Sequence, residues 1–193
     1  ALAQHPNIEV KLFNPYRFRK HRSLDMVLDL KRINRRMHNK SFIADHQVAL
    51  IGGRNMTNQY YNVSDNYQFS DVDVMLFGTA VHEISDSFDD YWNHEYAYDV
   101  HEIVSQKSHR LSYESLKQQL DEHYRRATVQ NFLDLTRRAQ AIDALLNRDL
   151  SLDWVKAEVV KDSPDKIKSK AKKEEHLNFQ LINHLEQPEQ NID

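Results

Sequence analysis

The chain has 193 residues, enough for one ordinary domain with an apolar core or one and a half smaller ones. It contains no cysteine, which excludes disulfides, thiolate zinc sites and a thiol nucleophile. No apolar run is long enough to span a bilayer, and no basic-then-apolar leader opens the chain. The opening residues Ala1 to Gln4 read as the end of a helix, so we expect the chain to be cut from a longer protein.

The net charge of −3 hides a strong segregation of charge along the chain. Residues 1–54 hold eleven Lys and Arg against four acids, whereas residues 55–106 hold no Lys or Arg and ten acids. The basic block predicts contact with a phosphate or an anionic membrane surface. Arg35 and Arg36 are the best candidates for substrate or headgroup contact. Other cations of the block fit a solvated loop equally well: Arg17, Arg19, Lys20 and Arg22.

The first half of the chain reads as strands, turns and two helices. Residues 8–13 alternate as a strand, and Ser23 could cap a short helix. Two further strands flank a tight turn at His46-Gln47. Residues 69–78 then alternate toward an apolar end, which predicts another strand. The clearest helix follows, with an apolar and aromatic stripe that we predict to be core: Val81, Ile84, Phe88, Tyr91 and Trp92.

The second half is predominantly helical. Ser112 and Thr128 are candidate N-caps of two helices that run to about Asn147. We predict that the apolar side chains of these helices face inward: Leu116, Leu120, Phe132, Leu135, Ala139, Ile142 and Leu145. Residues 154–160 alternate as a strand, and the Lys-rich residues 161–173 read as a flexible loop. A last helix over 174–184 is predicted to bury its leucines.

Six residues between positions 38 and 55 follow the spacing H-x-K-x4-D-x6-G-G-x-N: His38, Lys40, Asp45, Gly52, Gly53 and Asn55. If His38 and Lys40 lie in a strand, they project from the same face about 7 Å apart. An ammonium cancels phosphate charge, and a neutral imidazole can attack phosphorus as a covalent nucleophile. A chance match at six positions is improbable in so short a chain.

The remaining residues of this motif have supporting roles. Gly52 and Gly53 carry no Cβ, so a substrate or a second backbone can approach closely. Asn55, near the end of the second strand, is a donor for phosphate oxygens. Asp45 lies near the turn and reads as a structural hydrogen-bond acceptor. A nucleophilic imidazole also needs an acceptor for its other nitrogen, and Asp71, on one strand face with Asp73, is the candidate.

The motif resembles the signature of the phospholipase D superfamily, called the HKD motif. Residues 34–40, 52–55, 71–73 and 88–92 together are most similar to bacterial cardiolipin synthases, their C-type in particular. The resemblance implies an α/β fold: a lobe with a mixed β-sheet flanked by helices, and a further helical segment toward the C-terminus. It implies that residues 1–110 form this lobe and that residues 111–193 connect it to a second lobe.

In this family each of two lobes gives one HKD motif to a shared site, and this chain carries one. The resemblance implies double displacement: one motif histidine attacks phosphatidylglycerol to give phosphatidyl-histidine, and the other acts as acid and base. It assigns catalytic roles to His38, Lys40, Asp45, Asn55 and Asp71. It assigns substrate contacts to Arg35, Arg36, Gly52, Gly53 and Arg54.

The resemblance implies neither a metal nor another cofactor. The expected partners are a phospholipid (phosphatidylglycerol, with phosphatidylethanolamine as a second candidate), a membrane surface, and a second HKD lobe or a second copy of the chain. We expect peripheral attachment to the bacterial inner membrane and no nucleic acid. Two alternatives remain: a hydrolase or single-motif dimeric nuclease of the same superfamily, and a non-catalytic membrane or partner-binding module.

Overall fold

A computed structural model describes residues 1–18, 21–60, 69–104, 112–168, 174 and 176–186. The chain divides into two compact units, each assembled from separate stretches of sequence. The first unit comprises residues 1–10, 53–72 and 104–156. The second unit comprises residues 11–52, 73–103 and 157–193. The predicted α/β class is confirmed.

The helices and strands alternate in the second unit, whereas the first unit is helical. In chain order they are β1 (Lys11–Phe13), α1 (Arg22–Leu28), α2 (Leu30–Ile33), β2 (Ser41–Ala44), β3 (Val48–Gly52), β4 (Asp73–Phe77), α3 (Thr79–Trp92), β5 (Ala97–Asp99), α4 (Val100–Ile103), α5 (Tyr113–Tyr124), α6 (Ala127–Arg137), α7 (Gln140–Leu146) and α8 (Leu177–Glu186). Short 3-10 helices cover Leu2–Gln4, Asn58–Tyr60 and Pro164–Lys168.

The three strands β2, β3 and β4 form an antiparallel sheet in the second unit, with β3 at its centre. The β2–β3 hairpin turns through Asp45 and His46, whose φ angles of 51° and 54° are left-handed. Short polar side chains tolerate that conformation better than β-branched ones do. The predicted pair of strands around a turn is therefore confirmed. A separate antiparallel pair joins β1 to β5.

Helix α3 packs on this sheet and forms the core of the second unit. Ala49 of β3 and Val81 of α3 are 0% exposed, and Ile84 is also buried. The predicted helix and most of its stripe are confirmed, because Tyr91 is buried as well. Phe88 is an exception: it is 48% exposed and stacks on Trp92 at a centroid distance of 5.6 Å.

Several boundaries differ from the sequence-based prediction. Strand β4 begins only at Asp73, so Asp71 lies in the preceding loop. Ser23 lies inside α1, and Thr128 lies inside α6, which begins after Arg126. Ser112 is confirmed as a cap, since its Oγ accepts from the Ser115 N–H at 3.1 Å.

The prediction also failed in the last third of the chain. Residues 154–160 form no strand. Part of the predicted flexible loop is ordered, because Pro164–Lys168 is a 3-10 helix that buries Ile167. The other part, 169–173, lies outside the described residues. The last helix begins at Leu177 instead of residue 174.

The helices of the first unit bury few of their apolar side chains. Among their described residues, α5 and α6 contain no buried one. Leu135 is 72% exposed and Leu146 is 75% exposed, so the predicted inward-facing set is wrong for most of its members. Amphipathic periodicity identified the apolar face but not what covers it. Among the described residues, no helix combines the length and apolar character needed to cross a membrane.

Candidate active site

His38 and Lys40 lie in the irregular segment that precedes β2, so their predicted placement in a strand is wrong. The segment is held partly by its own polar groups. The Nζ of Lys40 donates to the carbonyl oxygen of His38 at 3.0 Å. The Nδ1 of His38 lies 3.3 Å from the carbonyl oxygen of Arg36. Since a carbonyl can only accept, this contact favours the Nδ1–H tautomer and leaves the lone pair on Nε2.

The two arginines before the motif histidine each have a partner within the second unit. The Arg35 guanidinium donates to the carbonyl oxygens of Lys166 and Ile167, in the 3-10 helix Pro164–Lys168. The Arg36 guanidinium lies over the ring of Tyr16, 4.8 Å from its centroid. Arg35 therefore anchors the start of the motif segment. The predicted contact of both arginines with substrate stays a prediction.

A buried polar pair supports the helix that leads into the motif. Asn14 is almost fully buried and has a left-handed φ of 50°. Its Nδ2 donates to the carbonyl oxygens of Arg32 at 2.9 Å and of Arg35 at 3.0 Å, while its Oδ1 accepts from the Arg32 guanidinium. Arg32 also pairs with Asp29 at 2.8 Å. Asn14 therefore binds the backbone at both ends of residues 32–35 and also holds the buried Arg32 cation.

Two further motif residues belong to the second-unit hairpin. Asp45 is an exposed residue of the β2–β3 turn. Gly52 ends β3 and is paired with Asp73, the first residue of β4. The hairpin thus brings the glycine end of β3 back beside the start of β2, where Ser41 is paired with Ile51. The predicted role of Asp45 as a structural acceptor is not tested by these contacts.

The first unit holds the other part of the motif, where Gly53 and Asp71 are in close contact. A Cβ built on Gly53 would lie 2.3 Å and 2.4 Å from the carboxylate oxygens of Asp71 and 2.6 Å from its Cγ. The same carboxylate accepts from the N–H of Val72 at 2.9 Å. The Nη2 of Arg54 donates to the Asp71 carbonyl oxygen at 3.1 Å. Only glycine at position 53 leaves room for this carboxylate. The predicted approach of a substrate or a second backbone to the glycine pair stays a prediction.

Asn55 is exposed and lies three residues beyond the end of β3. Its Nδ2 is 3.4 Å from the hydroxyl of Tyr60, a weak contact at the edge of hydrogen-bonding distance. The ring of Tyr60 in turn packs against Phe69 at a centroid distance of 5.1 Å. The amide is therefore accessible and free of strong competing bonds among those described.

The structure thus assembles the predicted site residues in two groups. Arg36, His38 and Lys40 contact one another in the second unit, whereas Gly53, Arg54 and Asp71 contact one another in the first unit. The pairing of Asp71 with the imidazole of His38 stays a prediction. The second unit already supplies one acceptor for the imidazole, the carbonyl oxygen of Arg36.

Sequence reasoning overlooked the partner of the hydroxyl of Tyr91, a buried residue of α3. That hydroxyl donates to the carbonyl oxygen of Asp162 at 3.1 Å. Burial and the nearby Asp162 carboxylate raise the pKa of Tyr91 to about 12. Apolar periodicity assigned Tyr91 to the core but gave no signal for the partners of its hydroxyl.

Asp162 is a second residue without a sequence signal. Its carboxylate accepts from the Nζ of Lys166 at 2.6 Å and from the N–H of Leu177, the first residue of α8, at 2.9 Å. Burial alone would raise the pKa of Asp162, but these two hydrogen bonds outweigh it and lower the pKa below 3.8. Among the described residues, no three His, Asp or Glu side chains cluster so as to hold a metal ion.

Comparison with known proteins extends these observations along the whole chain. Cardiolipin synthase C of Escherichia coli (strain K12) is 34% identical over 192 residues, which are 100% of this chain and 40% of that relative. Two uncharacterized proteins from two strains of Helicobacter pylori are each 43% identical over 90 residues, 46% of this chain and 18% of theirs. The chain therefore spans less than half the length of these relatives. Neither a family model nor a solved structure matches it.

The α/β fold and the motif residues, together with this likeness, identify the chain as part of a protein of the phospholipase D superfamily. Within that superfamily its likeness is to the cardiolipin synthases. The chain is a homologue of cardiolipin synthase C, to which it is related along its whole length. The resemblance inferred from the motif residues is confirmed.

Proposed function

We propose that this chain supplies one HKD half-site of a phosphatidyl transferase that makes cardiolipin from phosphatidylglycerol. The observation that carries the proposal is the 34% identity to cardiolipin synthase C over the whole chain. The six motif residues support it further, because a module that only binds lipid has no need of an intact His38, Lys40 and Asn55. Phosphatidylethanolamine is a second candidate substrate.

The reaction proceeds by double displacement. The Nε2 lone pair of one motif histidine attacks the phosphatidyl phosphorus and forms a P–N bond, while the P–O bond to glycerol breaks. The other motif histidine donates a proton to the departing glycerol and then takes a proton from the acceptor hydroxyl. That hydroxyl attacks phosphorus, the P–N bond breaks, and cardiolipin leaves. His38 takes one of these two roles, and its Nδ1 contact with the Arg36 carbonyl suits either.

We assign the stabilisation of charge at the phosphoryl centre to three residues of the motif region. Lys40 has one Nζ donor engaged by the His38 carbonyl, which leaves two protons for phosphate oxygens. The exposed amide of Asn55 is a second donor, and Arg54 adds a cation. The predicted role of Asp71, to accept a hydrogen bond from the imidazole Nδ1–H alongside the Arg36 carbonyl, is part of this proposal. No step of this scheme uses a metal or other cofactor.

We propose a membrane surface and a second HKD motif as the partners, with peripheral attachment to the bacterial inner membrane. Phosphatidylglycerol lies in a bilayer, so the site must meet its surface. The first unit carries exposed apolar side chains that suit such partners: Leu135, Leu146, Trp154 and Val155. The second motif comes from another lobe of the same protein or from a second copy of this chain.

The test is lipid turnover by the longest chain that the coding region specifies. It is incubated with phosphatidylglycerol vesicles, with and without phosphatidylethanolamine, and the products are separated by mass. Cardiolipin with release of glycerol is the expected result. Phosphatidic acid alone would make the protein a hydrolase. The absence of any lipid product would reject the proposed function in favour of a nuclease or a binding module.

A further inference from the structure

Helix α1 carries a run of apolar side chains that the second unit leaves uncovered. No described side chain of α1 is buried. Its apolar side chains, which we call the α1 surface, are between 46% and 82% exposed: Leu24, Met26, Val27 and Leu28. Soluble proteins seldom expose several adjacent apolar residues unless the patch binds a partner. The α1 surface is therefore a candidate interaction surface.

Helix α1 is also too short to be stable on its own. It has seven residues, whereas isolated helices of fewer than about 12 residues are marginal in water. The next helix, α2, is anchored by its buried residues Arg32 and Ile33. The unit thus buries part of α2 but no described side chain of α1. Burial of the α1 surface against a partner would supply the stabilisation that the length of the helix does not.

The charges around α1 favour an anionic bilayer as that partner. The helix lies within the basic block, residues 1–54, which holds eleven Lys and Arg against four acids. Arg17 and Lys31, on either side of α1 in the sequence, are both exposed. The nearby acid Asp29 is paired with Arg32 at 2.8 Å. Apolar residues flanked by cations are typical of segments that lie in the interface of anionic membranes. A second copy of the chain would instead bring cations of like sign together.

We infer that α1 docks the protein on the membrane: the α1 surface inserts among the acyl chains of an anionic bilayer while Arg17 and Lys31 bind its headgroups. His38 follows the buried Ile33 by five residues, a reach of at most about 18 Å. Insertion of α1 thereby keeps the motif close to the headgroup layer. The inference rests on the proposed attachment to a membrane and deepens it, but vesicle binding can be measured without turnover.

The first test measures binding to vesicles of phosphatidylglycerol and phosphatidylcholine by flotation. It uses the longest chain that the coding region specifies, with His38→Ala so that no lipid is consumed. Val27→Ser combined with Leu28→Ser should weaken vesicle binding at least about tenfold, because two apolar side chains no longer leave water. Binding as tight as that of the parent protein would overturn the inference.

The matched control is Leu181→Ser combined with Ile182→Ser in α8. These adjacent side chains are 42% and 49% exposed, and α8 contains no Lys or Arg. The control variant should bind vesicles like the parent protein. Both double variants should unfold at the parent midpoint, since exposed positions contribute little to stability. An equal loss of binding in both would show that α1 has no special part and would overturn the inference.

The lipid charge is tested by comparison with vesicles of phosphatidylcholine alone. The parent protein should bind these neutral vesicles more weakly than vesicles that contain phosphatidylglycerol. Arg17→Gln combined with Lys31→Gln should weaken binding to the anionic vesicles several-fold and leave binding to the neutral ones unchanged. Equal binding of the parent protein to both kinds of vesicle would overturn the inference.

A fluorophore reports which segment enters the bilayer. The chain contains no cysteine, so Leu28→Cys and Ile182→Cys each provide one attachment site within it. On phosphatidylglycerol vesicles, the emission of a polarity-sensitive label at position 28 should shift to the blue, whereas a label at 182 should not respond. A shift at position 28 that occurs without vesicles as protein concentration rises would indicate a second copy as the partner and would overturn the inference.

Failure of this inference and failure of the proposed function give different results. Vesicle binding through α1 in a protein that makes no cardiolipin would reject only the proposed function. Cardiolipin formation by a protein whose label at position 28 does not respond to vesicles would reject only the inference.

Discussion

The contact between Gly53 and Asp71 allows a sharp prediction, because one added methyl group would collide with the carboxylate. In Gly53→Ala the new Cβ would meet the Asp71 carboxylate oxygens at 2.3 and 2.4 Å, where ordinary contacts begin at 3.4 Å. The carboxylate must therefore withdraw by roughly 1 Å. Since Cγ is also only 2.6 Å away, rotation of the carboxylate alone does not relieve the collision.

The change in the free energy of unfolding has three contributions, of which two are destabilising and one is stabilising. Overpacking of this kind costs about 1–3 kcal/mol. Displacement of the carboxylate also weakens its bond from the Val72 N–H, worth about 1 kcal/mol. Alanine also restricts the unfolded chain more than glycine does, which stabilises the folded protein by about 0.4–1 kcal/mol. We expect Gly53→Ala to lower the free energy of unfolding by about 1–3 kcal/mol, measured by equilibrium denaturation in urea.

The same substitution in an Asp71→Ala background isolates the collision. Without the carboxylate, Gly53→Ala should be neutral or stabilising by up to about 1 kcal/mol, so the two changes are strongly coupled. Gly78→Ala is the matched control: its φ of 83° makes alanine costly, but its Cβ would meet no atom within 4 Å. Its cost should be the same in both backgrounds. An equal cost of Gly53→Ala with and without Asp71 would refute the reasoning.

Three further predictions concern the second unit and the exposed face of the first. Asn14→Ala should lower the free energy of unfolding by about 2–4 kcal/mol in urea titrations, because it removes two buried donors and an acceptor of the Arg32 cation. The lowered pKa of Asp162 stabilises the fold at pH above 3.8, and this contribution is lost as pH falls through the folded-state pKa. Acid unfolding curves of wild type and Asp162→Asn should therefore converge below pH 3.8, and curves that stay parallel would contradict this. Val81→Ala should cost about 1–3 kcal/mol, whereas Leu146→Ser should change the midpoint of thermal unfolding little, since Leu146 is 75% exposed.

The parts of the fold that local pattern determines were predictable from sequence. The β2–β3 hairpin follows from two apolar runs around a polar turn, and α3 follows from its apolar period. The loop that carries His38 was not predictable in the same way. Its alternation suggests a strand, but Arg35 is bound instead to the carbonyl oxygens of Lys166 and Ile167, far away in sequence. Such long-range polar contacts leave no periodic signal.

The candidate site was partly predictable for a different reason. The motif names residue types that phosphoryl chemistry requires, and its glycine pair suggested room for a substrate or a second backbone. It did not indicate that the group beside Gly53 is the Asp71 carboxylate. In the helices α5 to α7, by contrast, the elements were predictable but the burial of their side chains was not. Their amphipathic period is clear, but whether the apolar face of Leu135 and Leu146 is covered depends on surroundings that period does not encode.

The most direct test of the account is the effect of His38→Ala on cardiolipin formation, with His82→Ala as the matched control. His82 is an exposed histidine of α3 outside the motif. Both variants should unfold at the wild-type midpoint, because both side chains are exposed. We predict that His38→Ala lowers cardiolipin formation by at least roughly 10³-fold while His82→Ala leaves it unchanged. Cardiolipin formed at the wild-type rate by folded His38→Ala protein would contradict the account.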